Sequence, residues 1–160
     1  MTAYYGSNAT KRDQTVPSVK VGIGEENSRV RIAYDEWAVP TAVIAISSTV
    51  DLFEIPKGAR VLDAVCVAPD QGSTGTGKLG WLASAETSGG SPLEAADDDG
   101  LIPSIDFKTN AAMTRGGSTS GVAAGMGKKF TAKVRAQLTI TEAFDVGTGT
   151  IKCWALFVID

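Results

Sequence analysis

Apolar and polar positions alternate in short runs along this chain, and Gly or Pro separates one run from the next. From residue 29, Val30, Ile32 and Tyr34 alternate with Arg29, Arg31, Ala33 and Asp35, which is the period of a β-strand. Trp37 and Pro40 end that run. Residues 42–46 (AVIAI) and 50–55 are two further apolar runs, each predicting a strand. Pro56-Lys57-Gly58 predicts a turn, in which Pro presets φ and Gly supplies a positive φ. Residues 60–67 (RVLDAVCV) are apolar on both faces except at Asp63, which predicts a central strand. Asp63 then needs a partner or lies on a rim. A glycine-rich loop follows, and residues 79–83 predict the returning strand.

Residues 84–100 read as a loop with one helical turn, capped by Ser91, with Pro92 first and Glu94 near its positive end. Residues 102–107 predict a short strand, and Pro103 places it at an edge, because proline cannot donate to a ladder. Five glycines between residues 114 and 129 predict a long loop. Residues 130–141 carry the clearest alternation. Val134, Ala136, Leu138 and Ile140 form a dry side, and Lys133, Arg135, Gln137, Thr139 and Thr141 form a wet one. After a turn at 145–149 (DVGTG), residues 150–159 predict its hairpin partner, apolar on both sides beyond Lys152. Such a strand is central in a sandwich, or it presents Trp154, Leu156 and Val158 to another chain.

Residues 1–28 are polar and aperiodic, which predicts an extended N-terminal arm or a frayed terminus. Tyr4 and Tyr5 would give the arm something to bury against a neighbouring subunit. Residues 29–160 then form one all-β domain, an antiparallel β-sandwich of about seven or eight strands, with the jelly roll as one form of it. No internal repeat and no helical pattern is present.

Composition narrows the function. The chain has 160 residues and a net charge of −3, with its 15 basic residues scattered, so no basic stripe proposes nucleic-acid binding. No apolar run approaches the roughly 20 residues that span a bilayer, and no signal peptide opens the chain, so a cytosolic origin and no membrane partner are expected. Histidine is absent, which removes the commonest general base and metal ligand. Cys66 and Cys153 lack zinc-site spacing and read as buried thiols; a bridge becomes feasible only if their strands are neighbours.

One stretch imitates a catalytic motif. Gly72, Gly77 and Lys78 match a phosphate-binding loop, but Leu79 replaces the hydroxyl that holds magnesium. The residues after it lack the helix on which phosphates sit. A flexible loop at the sandwich end is the better reading. Asp97-Asp98-Asp99-Gly100 lacks the spaced ligands of a calcium loop, so a solvated acidic turn is preferred over a cation held by Asp97 and Asp99. No catalytic residue, resident metal or cofactor is expected.

The segment IPKGARVLDAVCVAPDQGSTGTGKLGWLASAE, a glycine-rich section and the closing GTIKCWALFVID together resemble small β-rich virion proteins of tailed bacteriophages, including capsid decoration (cement) proteins. The likeness covers roughly residues 50 to 85 and 130 to 160. It implies a non-enzymatic knob on the capsid surface, made in the host cytoplasm. It also implies assembly with copies of itself, a homotrimer ahead of a dimer, and binding to the major capsid protein. Tyr4, Tyr5, Trp154, Leu156 and Val158 are the expected partner-binding residues. A carbohydrate-binding or adhesin-like sandwich on the virion is the alternative, with Trp37, Trp81 and Trp154 as sugar platforms.

Overall fold

The computed structural model describes residues 3–5, 30–72, 74–108, 112–116, 123–144 and 149–159. They form eleven strands: β1 (Ala3–Tyr5), β2 (Val30–Ala38), β3 (Thr49–Ile55), β4 (Ala59–Ala68), β5 (Thr76–Trp81), β6 (Thr87–Ser88), β7 (Ser91–Pro92), β8 (Asp97–Asp106), β9 (Ala112–Arg115), β10 (Val134–Glu142) and β11 (Thr150–Ile159). No helix occurs among the described residues. The first sheet has the order β1-β3-β10-β5-β8, the second has the order β2-β11-β4-β9, and β6 and β7 form a separate hairpin. The expected all-β sandwich is the observed architecture.

The eight long strands pair in a nested way. β2 pairs with β11, β3 with β10, β4 with β9 and β5 with β8, all antiparallel. Lateral pairing of β10 with β5 and of β11 with β4 joins these pairs into the two sheets. Two expected hairpins are therefore corrected. β5 does not return beside β4, and β11 is not the hairpin partner of β10. Each successor crosses to the opposite sheet instead. A two-residue turn would have kept the strands adjacent, but the segments 69–75 and 143–149 are long enough to cross the ~10 Å between packed sheets.

The core lies between the sheets. Phe53, Phe107, Phe130 and Phe144 are fully buried with Ile44, Leu52, Ile55, Leu79, Leu101 and Leu138. Phe107 packs edge-on against Phe144, and Trp81 against Phe130, both with centroids 5.0 Å apart. Such pairs add about 0.5–1.5 kcal/mol beyond their buried area. β10 alternates as expected, with Val134, Ala136, Leu138 and Ile140 buried. In β3, Leu52 and Phe53 stand together opposite Ala136, a bulge that lets consecutive side chains both enter the core.

Other expectations hold or fail locally. β4 is flanked by β11 and β9, as a doubly apolar strand should be, and Pro103 lies on β8 at a sheet edge. Pro56 begins the predicted turn: Ala59 N–H donates to its carbonyl at 3.1 Å, and Gly58 takes φ 82°. The run 42–46 makes only a bridge from Ile44 to Phe144, and Val43 and Ile46 are exposed. The predicted helical turn at Ser91 is the β6–β7 hairpin, because Gly89 and Gly90 both adopt positive φ and close a two-residue turn. The glycine-rich stretch after residue 112 is not all loop: β9 completes the second sheet. Of residues 1–28, the structure describes only β1, which pairs parallel to β3. The rest of the predicted arm, and residues 145–148 of the predicted turn, lie outside the described residues.

Gly80 shows how closely β5 and β8 approach. A Cβ at this position would overlap the Asp97 carbonyl oxygen and the Asp98 backbone. The neighbouring backbone cannot yield as a side chain tip would. Gly80→Ala is therefore expected to cost about 3 kcal/mol or more. A denaturant midpoint equal to the parent's would contradict this close approach.

Candidate functional site

The two sheets turn unlike faces outward. On the first, Gln137 donates to Asp51 at 2.7 Å, Arg135 lies 3.5 Å from Asp51, and Lys133 lies 3.3 Å from Glu54. That face is an ion-paired, wetted surface, which needs no cover.

The outward face of the second sheet is built differently. Residues directly opposite in an antiparallel ladder share a face, so the register gives its rows. Val30, Val158 and Arg60 form one row, and Ile32, Leu156 and Asp63 the next. Tyr34, Trp154, Val65 and Arg115 form a third, and Glu36, Lys152, Val67 and Met113 a fourth. Leu62 is the extra residue of a bulge opposite β11, and it is 50% exposed. Val30, Ile32, Tyr34 and Met113 are also exposed, at 46%, 57%, 38% and 62%. Trp154, Leu156 and Val158 between them are half-buried. These apolar side chains lie side by side on one sheet face, and the largest apolar patch of a monomer surface is often functional.

Its charges are largely answered within the face. Arg115 holds Asp63 at 2.8 Å, which answers the question that Asp63 raised in the sequence. The Tyr34 hydroxyl donates to Glu36 at 2.9 Å. Burial, that bond and the neighbouring carboxylates push the Tyr34 phenol up to about 12. Arg60 donates to the Gly127 carbonyl at 2.8 Å. A partner for this face thus needs apolar surface more than countercharge.

Of the five expected partner-binding residues, Trp154, Leu156 and Val158 come together on this face. Tyr4 and Tyr5 lie on β1 at the edge of the other sheet. Val30, Ile32, Tyr34, Leu62 and Met113 share this face, which sequence reasoning did not bring together. The period of two in β2 was visible, but its apolar side points away from the core, and Ala33, Asp35 and Trp37 point in. Trp37 and Trp81 are buried core residues, so among the three tryptophans only Trp154 offers surface for a sugar.

The imitation phosphate loop resolves into a strand. Lys78 lies within β5, not ahead of a helix, and its ammonium pairs with Asp98 at 2.6 Å. Lys78→Ala is expected to leave any response to ATP unchanged and to cost at most about 1 kcal/mol, as for a partly exposed ion pair. Thermal shift with and without nucleotide reads both. The carboxylates of Asp97, Asp98 and Asp99 lie within 4.8 Å of one another. The Asp99 carboxyl is raised, chiefly by its hydrogen bond with Asp97, then by burial and the adjacent carboxylates. The Lys78 ammonium already stands against this cluster.

Glu94 is a buried carboxylate with several donors. It is 4% exposed and receives Lys128 at 2.6 Å, the Thr131 amide at 2.6 Å and the Thr131 hydroxyl at 2.8 Å. Burial by itself would raise its carboxyl, but these donors outweigh burial and hold it below the usual carboxylate range. The Lys128 ammonium also sits 5.1 Å from the Trp81 ring centre, and the Trp81 indole donates to Ala95 at 2.9 Å. The cluster ties the segment after β7 to the segment before β10, which is a structural task.

No family model matches the sequence, and no curated protein matches it. Solved structures do. A chain in the capsid of Ralstonia phage GP4 superposes with a TM-score of 0.60 at 16% identity, covering 89% of each chain. A chain of the cyanophage Pam1 capsid asymmetric unit superposes with a TM-score of 0.52 at 15% identity, covering 92% of this chain and 97% of that one. At such identities it is the fold that is shared, and this chain has the fold of chains found in bacteriophage capsids.

Proposed function

We propose that this protein is a non-enzymatic structural component of a bacteriophage virion, a capsid decoration protein that stabilises the major capsid lattice. The observation that carries this reading is the shared fold with a phage capsid chain over 89% of both chains. The nested pairing supports a jelly roll, whose two Greek keys arise when a long hairpin of paired strands rolls up. In this reading the outward face of the second sheet is the docking surface. Trp154, Leu156 and Val158 lie at its middle, with Ile32, Leu62 and Met113 around them. The expected mode is burial of an apolar centre inside a polar rim.

The companion proposal concerns self-assembly. Copies join as a homotrimer, with Tyr4 and Tyr5 of the arm against a neighbour. Light scattering of the purified chain gives the copy number, and a monomer at micromolar concentration would remove that part. Protein composition of purified particles tests the main reading. A fixed ratio of this chain to the major capsid protein, with density on the outer head surface, is expected. Recovery only in the soluble lysate would reject it.

A further inference from the structure

We propose that Cys66 and Cys153 form an intramolecular disulfide that staples β4 to β11 inside the sandwich. They are the chain's two cysteines, set 87 residues apart in sequence. The fold brings them directly opposite each other in the ladder between β4 and β11. Opposed residues in an antiparallel pair have Cα atoms ~4.5–5.5 Å apart, inside the ~4.4–6.8 Å range that a disulfide spans. The two thiols are free, and their sulfurs lie 2.9 Å apart. The next opposed pair, Val65 with Trp154, points to the other face, and the next pair on the cysteines' own face is Ala64 with Ala155, so their neighbours on the core side are small.

Both thiols are fully buried, in a row that runs Asp35, Cys153, Cys66, Thr114 across the second sheet. Burial, the contact with Cys66 and the Asp35 carboxylate raise the Cys153 thiol well above its usual range. Since the thiolate is the attacking species, the folded sheet protects the reduced pair. Oxidation belongs to moments when β4 and β11 are apart, during folding or transient opening. A small disulfide such as oxidised glutathione is a sufficient oxidant. One cysteine thiolate attacks it, forming a mixed disulfide and releasing one glutathione thiolate. The second cysteine thiolate attacks the protein sulfur of that mixed disulfide and releases the other. The two cysteine protons pass to the two glutathiones, and the protein loses two electrons to the reagent. Once closed, the bond lies in the core, away from reductant. This pairing belongs to the sheet and holds whether or not the protein is part of a particle.

The test uses the full chain, refolded from denaturant in glutathione buffers from fully reduced to fully oxidised. Remaining thiols are then alkylated under denaturing conditions, and the product is weighed. In oxidised buffer a monomer lighter by two hydrogens and free of alkyl groups is expected, with a Tm higher by on the order of 10 °C than the reduced form, because the bond closes a long loop. The Cys66→Ala, Cys153→Ala double variant should fold and lack any redox-dependent Tm shift. Two alkylated thiols at every buffer ratio would overturn the proposal. So would disulfide-linked dimers in place of the internal bond, or an oxidised form no more stable than the reduced one.

Discussion

Replacing Glu94 by alanine is expected to destabilise the protein by about 2–3 kcal/mol. Removal of one partner from a buried ion pair leaves the remaining groups unsatisfied, which costs about 3–5 kcal/mol when both are enclosed. Here Lys128 keeps 35% of its side chain exposed and can turn to water. The Thr131 amide, fixed in the backbone, loses its 2.6 Å acceptor, the Glu94 carboxylate. Urea or thermal unfolding at pH 7 measures the loss. Glu94→Gln should fall between parent and alanine, since the amide oxygen still accepts but the charge is gone. The pH dependence has a definite sign. The folded carboxyl is held below its ordinary range, so the unfolded chain takes up its proton first as pH falls. The stabilisation is present above the ordinary glutamate value of ~4.3 and is lost as pH drops through the lower folded value. The gap between parent and Glu94→Gln should therefore be full at neutral pH and shrink below about pH 4. A gap that widened in acid would contradict the assigned direction.

On the proposed docking through the outward face of the second sheet, Leu156→Lys is expected to cut binding to capsid particles by about 30-fold or more while leaving the fold intact. Leu156 lies between Ile32 and Asp63 in the middle of the outward face. A charge buried at the centre of an apolar contact removes at least ~2 kcal/mol of binding, which is ~30-fold in Kd. The monomer should tolerate the change within ~1 kcal/mol, because Leu156 is half-buried and a lysine stem can lie along the face with its ammonium in water. Thr141→Lys is the matched control. It adds the same charge at an exposed position on β10, in the first sheet, and should bind like the parent. Co-sedimentation with particles stripped of this protein reads both variants. Equal loss in the two would mean a general charge effect. No loss in Leu156→Lys would mean that contact is made elsewhere.

The same strand explains why this surface was half legible beforehand. β11 is apolar on both sides, and two readings were open, a central strand or one meeting another chain. The structure makes β11 central, between β2 and β4, with its outer side chains half-buried. β2 was harder. Its alternation is plain, yet Ala33, Asp35 and Trp37 take the inner side, and Val30, Ile32 and Tyr34 the outer. Trp37 joins the core cluster, and only the packed sandwich selects that side. Ser91 and Pro92 ahead of Glu94 predict a helical turn. The two glycines before them instead close a hairpin, and their positive φ is a local cue that outranks the proline signal.

What the chain's own order of residues determined is the class of fold and most of its strands. Period-two alternation, glycine and proline punctuation, and the absence of helical spacing are local properties, and they survive into β3, β4, β10 and β11. Pro103 placed its strand at an edge for the same local reason, a missing donor. Tertiary structure alone decided which strands pair, because nesting β2 with β11 and β4 with β9 joins residues far apart in sequence. Pairing of β5 with β8 sets the Lys78 ammonium on Asp98, and lateral pairing of β11 with β4 places Cys153 opposite Cys66 and leaves the outward side of the second sheet apolar. Alternation says that a strand has two sides. Only the closed sandwich says which side is inside.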